Sequence, residues 1–446
     1  MKAIIVGGGL AGSSAAFLLR ESGWQVKIIE STDQIGGRAY TVAKQGYLID
    51  TAASAMATSY TSYFEMAEKA GVSDRIVPAS PWVGFVRDFK VHEMDMRRIQ
   101  WSGVWTRLLS FRGKLGLLKL FKDAFLARSK GMLNYNDLGK AAPIDVESAS
   151  TYALREFSKE INDYFCDPVV RVMLLADGDK VSKVEFFSGV ANVLDETMCS
   201  MRGGQQSFAQ LLAKDAEVVL NSKVTLVKEN ENQVAVSWGG IDGPVTEIAD
   251  VCVVASHLHT AVDICPDYSD VLTPLNRRMR YTRALSVAIG ATVKVPTKSF
   301  MVFVPACEEK NIATLFLEHN KCEDRAPVGH SLLTAYFEEA ASEACWHMSD
   351  EELIEHTLTY LYKLFPVLRG NIDMTHVKRW DTALPLMEIG GYGEVALLNE
   401  RLKTGSRIQF AGDYRSGAGQ NTAVDFGMKA ARNIIETYEA QLSSCE

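Results

Sequence analysis

The apolar residues near the start of the chain fall into three successive stretches. Residues 3–6 are consecutively apolar, residues 13–21 are a helix-forming stretch that contains Ala, Phe and Leu side chains, and residues 25–29 are again rich in apolar side chains. This pattern predicts a strand, a helix ended by Gly23 and a second strand, which together begin a βαβ unit. A secretory signal peptide would also begin with Lys2 and an apolar stretch, but it has no need of the second strand.

Three glycines between the first strand and the helix have the spacing GxGxxG. In such a turn Gly7 allows the sharp bend, Gly9 lets a diphosphate approach the backbone, and Gly12 lets the helix pack close to the strand. Leu10 and Ala11 lie at the helix N-terminus, where N–H groups and a partial positive charge bind phosphate. The segment therefore predicts a dinucleotide site.

The residues that follow the second strand extend this prediction. Glu30 lies about 20 residues after the glycines, where a carboxylate can accept hydrogen bonds from both hydroxyls of an adenosine ribose. Gly36 and Gly37 then allow the chain to pass close under a cofactor, and Arg38 can bind diphosphate oxygens as a fork. The glycine spacing alone leaves NAD and FAD open, and the glycine pair with its arginine adds a second element suited to a diphosphate.

The last forty residues have a pattern of their own. The segment RIQFAGDYRSGAGQNTAVDFGMKAARNIIETY predicts a strand, a turn at Gly412 and Asp413, a glycine-rich loop, and a helix that begins near Asn421 or Thr422. The N-terminus of that helix could stabilise negative charge on a bound group. This end of the chain therefore supplies a second candidate part of a cofactor site.

Two segments in the middle of the chain stand out. Residues 285–295 alternate strictly between a bulky and a small face, which predicts a strand whose small face meets either a ligand or a close-packed element. Residues 97–130 carry nine Lys or Arg side chains against one acid, Asp123, with Trp101, Trp105 and other apolar residues interleaved. This segment predicts either a peripheral contact with an anionic membrane or a helix with its apolar side in the core.

Composition narrows the classes of function. The chain has 446 residues and a net charge of −8, so it is long enough for two or three domains and gives no support to a nucleic-acid partner. Its eight cysteines form no CxxC and its eight histidines form no ligand spacing, which predicts free thiols, a cytoplasmic location with membrane contact left open, and no metal site. No apolar stretch reaches the length of a spanning helix.

Taken together, these motifs resemble the superfamily of flavin amine oxidases, phytoene desaturases and protoporphyrinogen oxidases. The resemblance implies that Gly412 and Asp413 meet the diphosphate and ribityl chain of FAD, and that the helix start at Thr422 and Ala423 points at the pyrimidine edge of the flavin. It also implies that Val224 contacts the adenine through its backbone. Because no cysteine lies at the position of a covalent attachment, the FAD is expected to be held without a covalent bond.

The resemblance also implies an α/β fold with two domains. A Rossmann-like, discontinuous FAD-binding domain of the glutathione-reductase type would comprise residues 1–75, 200–270 and 375–446. Residues 76–199 and 271–374 would form an α+β substrate-binding domain with a mixed sheet and helices.

The expected chemistry is removal of a hydride from a C–H bond of a small, largely apolar or cyclic substrate, with oxygen or another molecule as final electron acceptor. An amine or amino-acid oxidase is one alternative, and a catalytically silent flavin-binding partner protein is another. Trp380 and Tyr392 are the candidate substrate-facing residues. Gly419 stands where amine oxidases of the superfamily often have a second aromatic ring, and Lys294 is the one lysine available on the strand near the flavin.

Overall fold

The computed structural model describes residues 1–98, 106–193, 196–240, 243–402 and 405–443. Part of the basic segment, including Trp101 and Trp105, and the C-terminal Cys445 lie outside the described residues.

The strands are, in chain order, β1 (Lys2–Val6), β2 (Gln25–Ile29), β3 (Thr41–Lys44), β4 (Tyr47–Asp50), β5 (Met56–Ala57), β6 (Ile76–Pro78), β7 (Trp82–Arg87), β8 (Lys90–Asp95), β9 (Met198–Met201), β10 (Glu217–Val219), β11 (Val224–Glu229), β12 (Val234–Gly240), β13 (Gly243–Ala249), β14 (Val251–Val254), β15 (Met279–Tyr281), β16 (Ala284–Ala291), β17 (Met301–Phe303), β18 (Ile312–Leu317), β19 (Ser331–Phe337), β20 (Ile372–Trp380), β21 (Pro385–Met387) and β22 (Ile408–Phe410).

The α-helices are α1 (Leu10–Glu21), α2 (Thr61–Lys69), α3 (Phe111–Ser129), α4 (Ala149–Glu156), α5 (Lys159–Ile161), α6 (Asp167–Leu174), α7 (Lys183–Val193), α8 (Gln206–Ala213), α9 (Leu258–Ile264), α10 (Ser269–Asn276), α11 (Glu318–Lys321), α12 (Glu339–Ala344), α13 (Asp350–Leu364), α14 (Tyr392–Arg401) and α15 (Gln420–Ser443). The predicted βαβ start of the chain is confirmed by β1, α1 and β2.

A parallel five-stranded sheet in the order β10-β2-β1-β14-β22 is packed against other elements on both of its faces. Successive side chains of a strand point to opposite faces, so the apolar residues of β1 serve two cores. Ala3 and Ile5 pack with α1, α8 and α15 on one face. Ile4 and Val6 pack with the three-stranded sheet β11-β12-β13 and helices α9 and α10 on the other. This burial on both faces explains the consecutively apolar sequence of β1.

A second, mixed sheet has seven strands in the order β20-β16-β19-β18-β17-β7-β8. Its pairs are antiparallel except for β17 with β7. One face packs against α12 and α13, and the other packs against α3, α4, α6 and α7. The two sheets with their helices confirm the predicted α/β fold class.

The alternating segment forms β16, but the strand ends at Ala291 and not at residue 295 as predicted. Its bulky face lies in the core with α13, as the residues Leu285 and Val287 show. A Cβ on Gly290 of the small face would lie 2.7 Å from the ring of Tyr47, so this position has a close-packed neighbour and no room for a ligand.

The predicted division into two domains stays a proposal. Residue 375, its predicted boundary, lies within β20, all of which belongs to the seven-stranded sheet. Across the described ranges, no helix combines the length and apolar character needed to cross a membrane.

Candidate active site

The glycine turn between β1 and α1 has the tight geometry that its spacing predicts. Gly7 has a φ of +98°, which favours glycine, and its N–H donates to the carbonyl of Ile29 at 2.9 Å. A Cβ on Gly12 would lie 1.9 Å from the carbonyl oxygen of Gly7, so no larger residue fits there. The turn therefore brings the start of α1 directly over the end of β1.

The N-terminus of α1 is left open to a ligand. Gly9 caps the helix without any side-chain hydrogen bond, and the first turn contains no acidic residue. Leu10 and Ala11 are buried beneath it. The free N–H groups and the helix dipole of such a terminus favour an anion, as a diphosphate is.

Glu30 lies at the end of β2 beside the same turn, with only 6% of its surface exposed. Its Oε2 accepts from the N–H of Gly8 at 2.7 Å, and its Oε1 accepts from the N–H of Thr32 at 2.8 Å. These bonds fix the carboxylate next to the glycines. Ser222 donates its N–H to the carbonyl of Glu30 at 2.9 Å, which brings the start of β11, with the buried Val224, to the same side of the sheet.

The glycine pair packs against the first glycine turn. Gly36 donates its N–H to the carbonyl of Gly8 at 3.0 Å, and a Cβ on Gly37 would lie 3.1 Å from the Cα of Gly9. Only glycine permits this approach, because Gly37 also has a φ of +56°. The two glycine-rich motifs thus form one continuous backbone surface.

Arg38 and Asp413 join the two ends of the chain. The guanidinium meets the carboxylate at two contacts of 2.9 Å each, and Arg38 also donates to the carbonyl of Ala383 at 2.9 Å. Burial opposes the charge of Arg38, but the adjacent Asp413 outweighs it and raises the pKa of the guanidinium above its ordinary value. Gly412 and Asp413 lie two and three residues after the end of β22.

The closing helix α15 begins at Gln420, next to the position that the sequence predicts. Thr422 and Ala423 lie in its first turn, and the Thr422 hydroxyl donates to the carbonyl of Tyr135 at 3.3 Å. A Cβ on Gly427 would lie 2.2 Å from the carbonyl oxygen of Ala11, so α15 crosses α1 in backbone contact. The two helix N-termini that the sequence assigns to cofactor binding therefore belong to adjacent helices.

These residues fit an FAD group. A Cβ at Gly12 or Gly37 would disrupt the packed glycine backbone at Gly7 and Gly9, and α1 presents an N-terminus without a side-chain cap to a diphosphate. Near the start of α15, the buried Oε1 of Gln420 has no hydrogen-bond partner among the described residues, although its Nε2 donates to the carbonyl of Ala55 at 3.0 Å. An unpaired buried acceptor of this kind suits an N–H donor of a ligand.

Beneath the turn that follows β4 lies a group of buried charges that the sequence analysis did not find. Lys321 Nζ lies 2.9 Å from Asp50 Oδ2 and also contacts Glu318, and Arg325 Nη2 lies 3.1 Å from the same Asp50 oxygen. All four side chains have no exposed surface. Burial would raise the pKa of Asp50, but the two cations overcome it and hold that pKa below its usual value. For Glu318 burial dominates and raises the pKa.

This charged group holds the segment Thr51–Ala55 from below. Lys321 donates to Ser54 Oγ at 2.8 Å, and Tyr336 donates its hydroxyl proton to the carbonyl of Asp50 at 2.8 Å. Lys294, the lysine expected from the sequence, is instead exposed beyond the end of β16. No local sequence pattern marks Lys321, because its burial results from the packing of α11 against distant elements.

Trp380 lies at the end of β20 on the other side of this segment. Its indole N–H donates to the carbonyl of Thr51 at 3.0 Å, and its ring meets that of Tyr40 edge-on, with centroids 5.9 Å apart and planes at 82°. The ring is only half-buried and packs against the apolar cluster of the seven-stranded sheet. Ala55, Leu384 and Ala418 are among the other partly buried apolar residues that pack against this cluster.

Tyr392 lies elsewhere, at the start of α14. Its exposed fraction is 0%, and it packs in the cluster on the other side of the parallel sheet, with Leu138 and Val395. Its hydroxyl donates to Glu185 Oε1, and burial raises the pKa of that carboxyl group to about 7. The structure therefore does not bring Tyr392 together with Trp380, and a substrate-facing role for Tyr392 stays a prediction that this burial does not support.

Comparison with known proteins finds similar sequences and structures over nearly the whole chain. Residues 10–435 match the family model described as flavin containing amine oxidoreductase. Coproporphyrinogen III oxidase of Bacillus subtilis (strain 168) is 23% identical, with 98% of each chain covered. Protoporphyrinogen oxidase 2 of Arabidopsis thaliana, chloroplastic/mitochondrial, is 21% identical, over 98% of this chain and 94% of the relative.

Among solved structures, cyclohexylamine oxidase from Brevibacterium oxydans IH-35A has a TM-score of 0.77 and 18% identity, with 98% of this chain and 99% of that chain covered. This likeness shows that the two proteins share a fold.

Proposed function

This chain belongs to the flavin-containing amine oxidoreductase family, and from that premise we propose that it oxidises a small, largely apolar and cyclic molecule of the porphyrinogen type. That it is an FAD-dependent oxidoreductase follows from the family. The substrate class is the proposal, and so are the cytoplasmic location, the domain division and the final electron acceptor, either oxygen or another molecule.

The apolar surroundings of Trp380 carry the proposal. Ala55, Leu384 and Ala418 pack against the same apolar cluster as the half-buried indole, and each belongs to a segment that also serves the cofactor site. Ala55 accepts from Gln420, and Leu384 follows Ala383, which accepts from Arg38. An apolar wall joined to these turns suits a substrate that is itself mostly apolar.

The aromatic and basic residues around Trp380 argue against the amine alternative. Amine oxidases of the superfamily often frame the substrate nitrogen with two facing aromatic rings. Here Tyr40 and Trp380 stand perpendicular to each other, and Lys378 Nζ lies 4.6 Å and 4.9 Å from their ring centroids. A cation beside both rings disfavours a protonated amine there, because like charges repel. The names of two relatives that are matched over 98% and 94% of their length support porphyrinogens instead.

Bound FAD supplies the two-electron acceptor for the C–H oxidation. The residues of this chain would hold it: Gly9 leaves its backbone open to the diphosphate, Gly7 and Gly12 allow the tight turn and the close packing of α1, and Arg38 with Asp413 joins the two cofactor turns. The turn after β4 is held by Lys321 from below and by Trp380 from the side. The apolar wall excludes water from the substrate.

The proposal is tested with the purified FAD-loaded protein and a panel of chemically reduced porphyrinogens, cyclic amines and amino acids. Appearance of porphyrin fluorescence is the expected result, and release of ammonia from an amine would favour the alternative function. Replacement Trp380→Phe should lower kcat/KM by about tenfold, because it removes the bond to Thr51 and part of the apolar wall. Trp346→Phe, which changes a half-buried indole near the end of α12, is the matched control.

The proposed partners include a membrane contact through residues 97–130, of which residues 99–105 lie outside the described ranges.

A further inference from the structure

Helix α3 turns an apolar face towards solvent. Five of its apolar side chains are exposed, with exposed fractions of 76% for Phe111, 52% for Leu115, 66% for Leu118, 42% for Phe125 and 50% for Leu126. Their spacing of four, three, seven and one residues places all five on one side of the helix. We call this side the apolar face of α3.

Cations flank this face. Residues 111–130 contain six Lys or Arg side chains and one carboxylate, in a chain whose net charge is −8. Lys122 is exposed within the face, one turn from Leu118 and Leu126. Arg112, Lys119 and Lys130 are exposed along one edge of the face, where Lys119 also forms an ion pair with Glu156. The carboxylate, Asp123, accepts a hydrogen bond from the Tyr152 hydroxyl at 2.7 Å and so is directed towards the protein.

The opposite side of α3 packs against the protein core. Leu120, Ala124 and Ala127 are buried in the apolar cluster of the seven-stranded sheet, and Phe121 meets Phe165 of the same cluster with ring centroids 6.5 Å apart. The expectation that the apolar side lies in the core therefore holds for this narrow side only. The exposed apolar face needs a different occupant.

We propose that the apolar face of α3 docks on an anionic lipid bilayer, with Phe111, Leu118 and Phe125 in the acyl region and the flanking cations at the headgroups. Large apolar residues bordered by Lys and Arg are the arrangement of helices that lie in the membrane interface. Anionic lipids complement the local positive charge, whereas the acidic remainder of the protein is repelled from them. A second copy of the chain fits less well, because a twofold contact would bring the flanking cations of both copies together.

The docking surface extends the proposed function and rests on it in one respect: a lipid bilayer is a source of apolar substrate. Leu120, Ala124 and Ala127 on the inner side of α3 belong to the apolar cluster against which Trp380 also packs, so the docked helix and the proposed substrate wall share one core. The docking itself does not require the proposed chemistry, and a vesicle assay measures it without any substrate. If the vesicle assay shows no docking, the oxidation of a porphyrinogen can still be measured, and the reverse also holds.

The test uses the full-length FAD-loaded protein and sedimentation with vesicles of pure phosphatidylcholine or of phosphatidylcholine mixed with phosphatidylserine. The expected result is binding to the mixed vesicles that weakens as salt is added. The double variant Phe111→Ser/Leu118→Ser should bind at least about tenfold more weakly, because it removes apolar area from the acyl region. Lys122→Glu should also weaken binding by about tenfold or more.

Two matched variants control for changes of composition alone. Val328→Ser removes a fully exposed apolar side chain from the loop before β19, and Lys214→Glu reverses an exposed charge after α8. Both should bind as the unchanged protein does. The proposal is overturned if the protein binds neither kind of vesicle, or if the α3 variants and the controls bind equally. A dimer in light scattering that Phe111→Ser/Leu118→Ser converts to a monomer would also overturn it, because the occupant would then be a second copy.

Discussion

Arg38 and Asp413 lie 375 residues apart in the sequence and meet in an ion pair with two contacts of 2.9 Å. The pair joins the turn after the first glycine motif to the turn before the closing helix. Arg38 also holds the carbonyl of Ala383, next to the apolar wall. One side chain thus links the two cofactor segments to the substrate side of the site.

The replacement Arg38→Lys should weaken both the fold and the cofactor site. Lysine cannot form the paired contacts of a planar guanidinium with a carboxylate. We expect the free energy of unfolding to fall by about 2 kcal/mol and FAD to bind about tenfold more weakly, as measured by denaturant titration and flavin fluorescence. Arg20→Lys, at an ion pair with the exposed Asp215, should change neither quantity measurably. Equal FAD affinity in the two variants would refute the linking role.

Gly12→Ala should prevent formation of the dinucleotide turn. The new Cβ would lie 1.9 Å from the backbone oxygen of Gly7, and neither atom belongs to a flexible side chain. A loss of about 3 kcal/mol or more in the free energy of unfolding is expected, together with loss of bound FAD. Gly393→Ala is the control, since a Cβ there has no neighbour within 4 Å and the residue lies in helix α14. A stable, flavin-bound Gly12→Ala protein would contradict the described packing.

Lys321→Met should be strongly destabilising. It would leave the Asp50 carboxylate with Arg325 as its remaining close cation and leave Glu318 without Lys321, in a site with no exposed surface. The expected loss is about 3–5 kcal/mol in thermal or denaturant unfolding. Lys298→Met on an exposed loop is the control.

A second replacement separates charge from shape at this group. Adding Glu318→Gln to Lys321→Met removes one of the uncompensated carboxylates, so the double variant should recover part of the lost stability. If the two losses simply add, the charges do not interact as described.

Glu185 predicts a pH dependence of stability with a definite sign. Burial raises the pKa of its carboxyl group to about 7, partly offset by the hydrogen bond from Tyr392, and Asp145 acts in the same direction as burial. The folded protein therefore holds this proton more tightly than the unfolded chain does. Stability from this group is complete below the unfolded pKa and is lost as pH rises towards 7, by about 3 kcal/mol in total.

The measurement compares the free energy of unfolding of the unchanged protein and of Glu185→Gln at several pH values between about 5 and about 8. Glutamine keeps an acceptor for Tyr392 but cannot ionise. The difference between the two proteins should therefore shift in favour of the variant as pH rises. A difference that does not change with pH would show that Glu185 does not titrate in this range.

The sequence was sufficient to predict the parts of the fold that depend on local geometry. The glycines of the first turn and the start of the closing helix carry their own signals, because a clash or a helix terminus depends on adjacent residues. The family resemblance also predicted a cofactor role for Asp413, whose ion pair with Arg38 joins distant segments.

The remaining features depend on packing between segments far apart in the chain. Lys321 is buried because α11 lies under the turn after β4, and nothing in its neighbouring residues indicates this. Tyr392 was expected to face the substrate, yet it lies in the core against Glu185. The end of β16 was placed too late because the alternation continues beyond the last paired residue.

An absorption spectrum of the purified protein between about 300 and about 550 nm, recorded anaerobically before and after addition of a porphyrinogen, tests the central claim most directly. Our account predicts flavin bands that bleach with the porphyrinogen and are missing from Gly12→Ala. A purified protein that shows no flavin band even after incubation with FAD would contradict it.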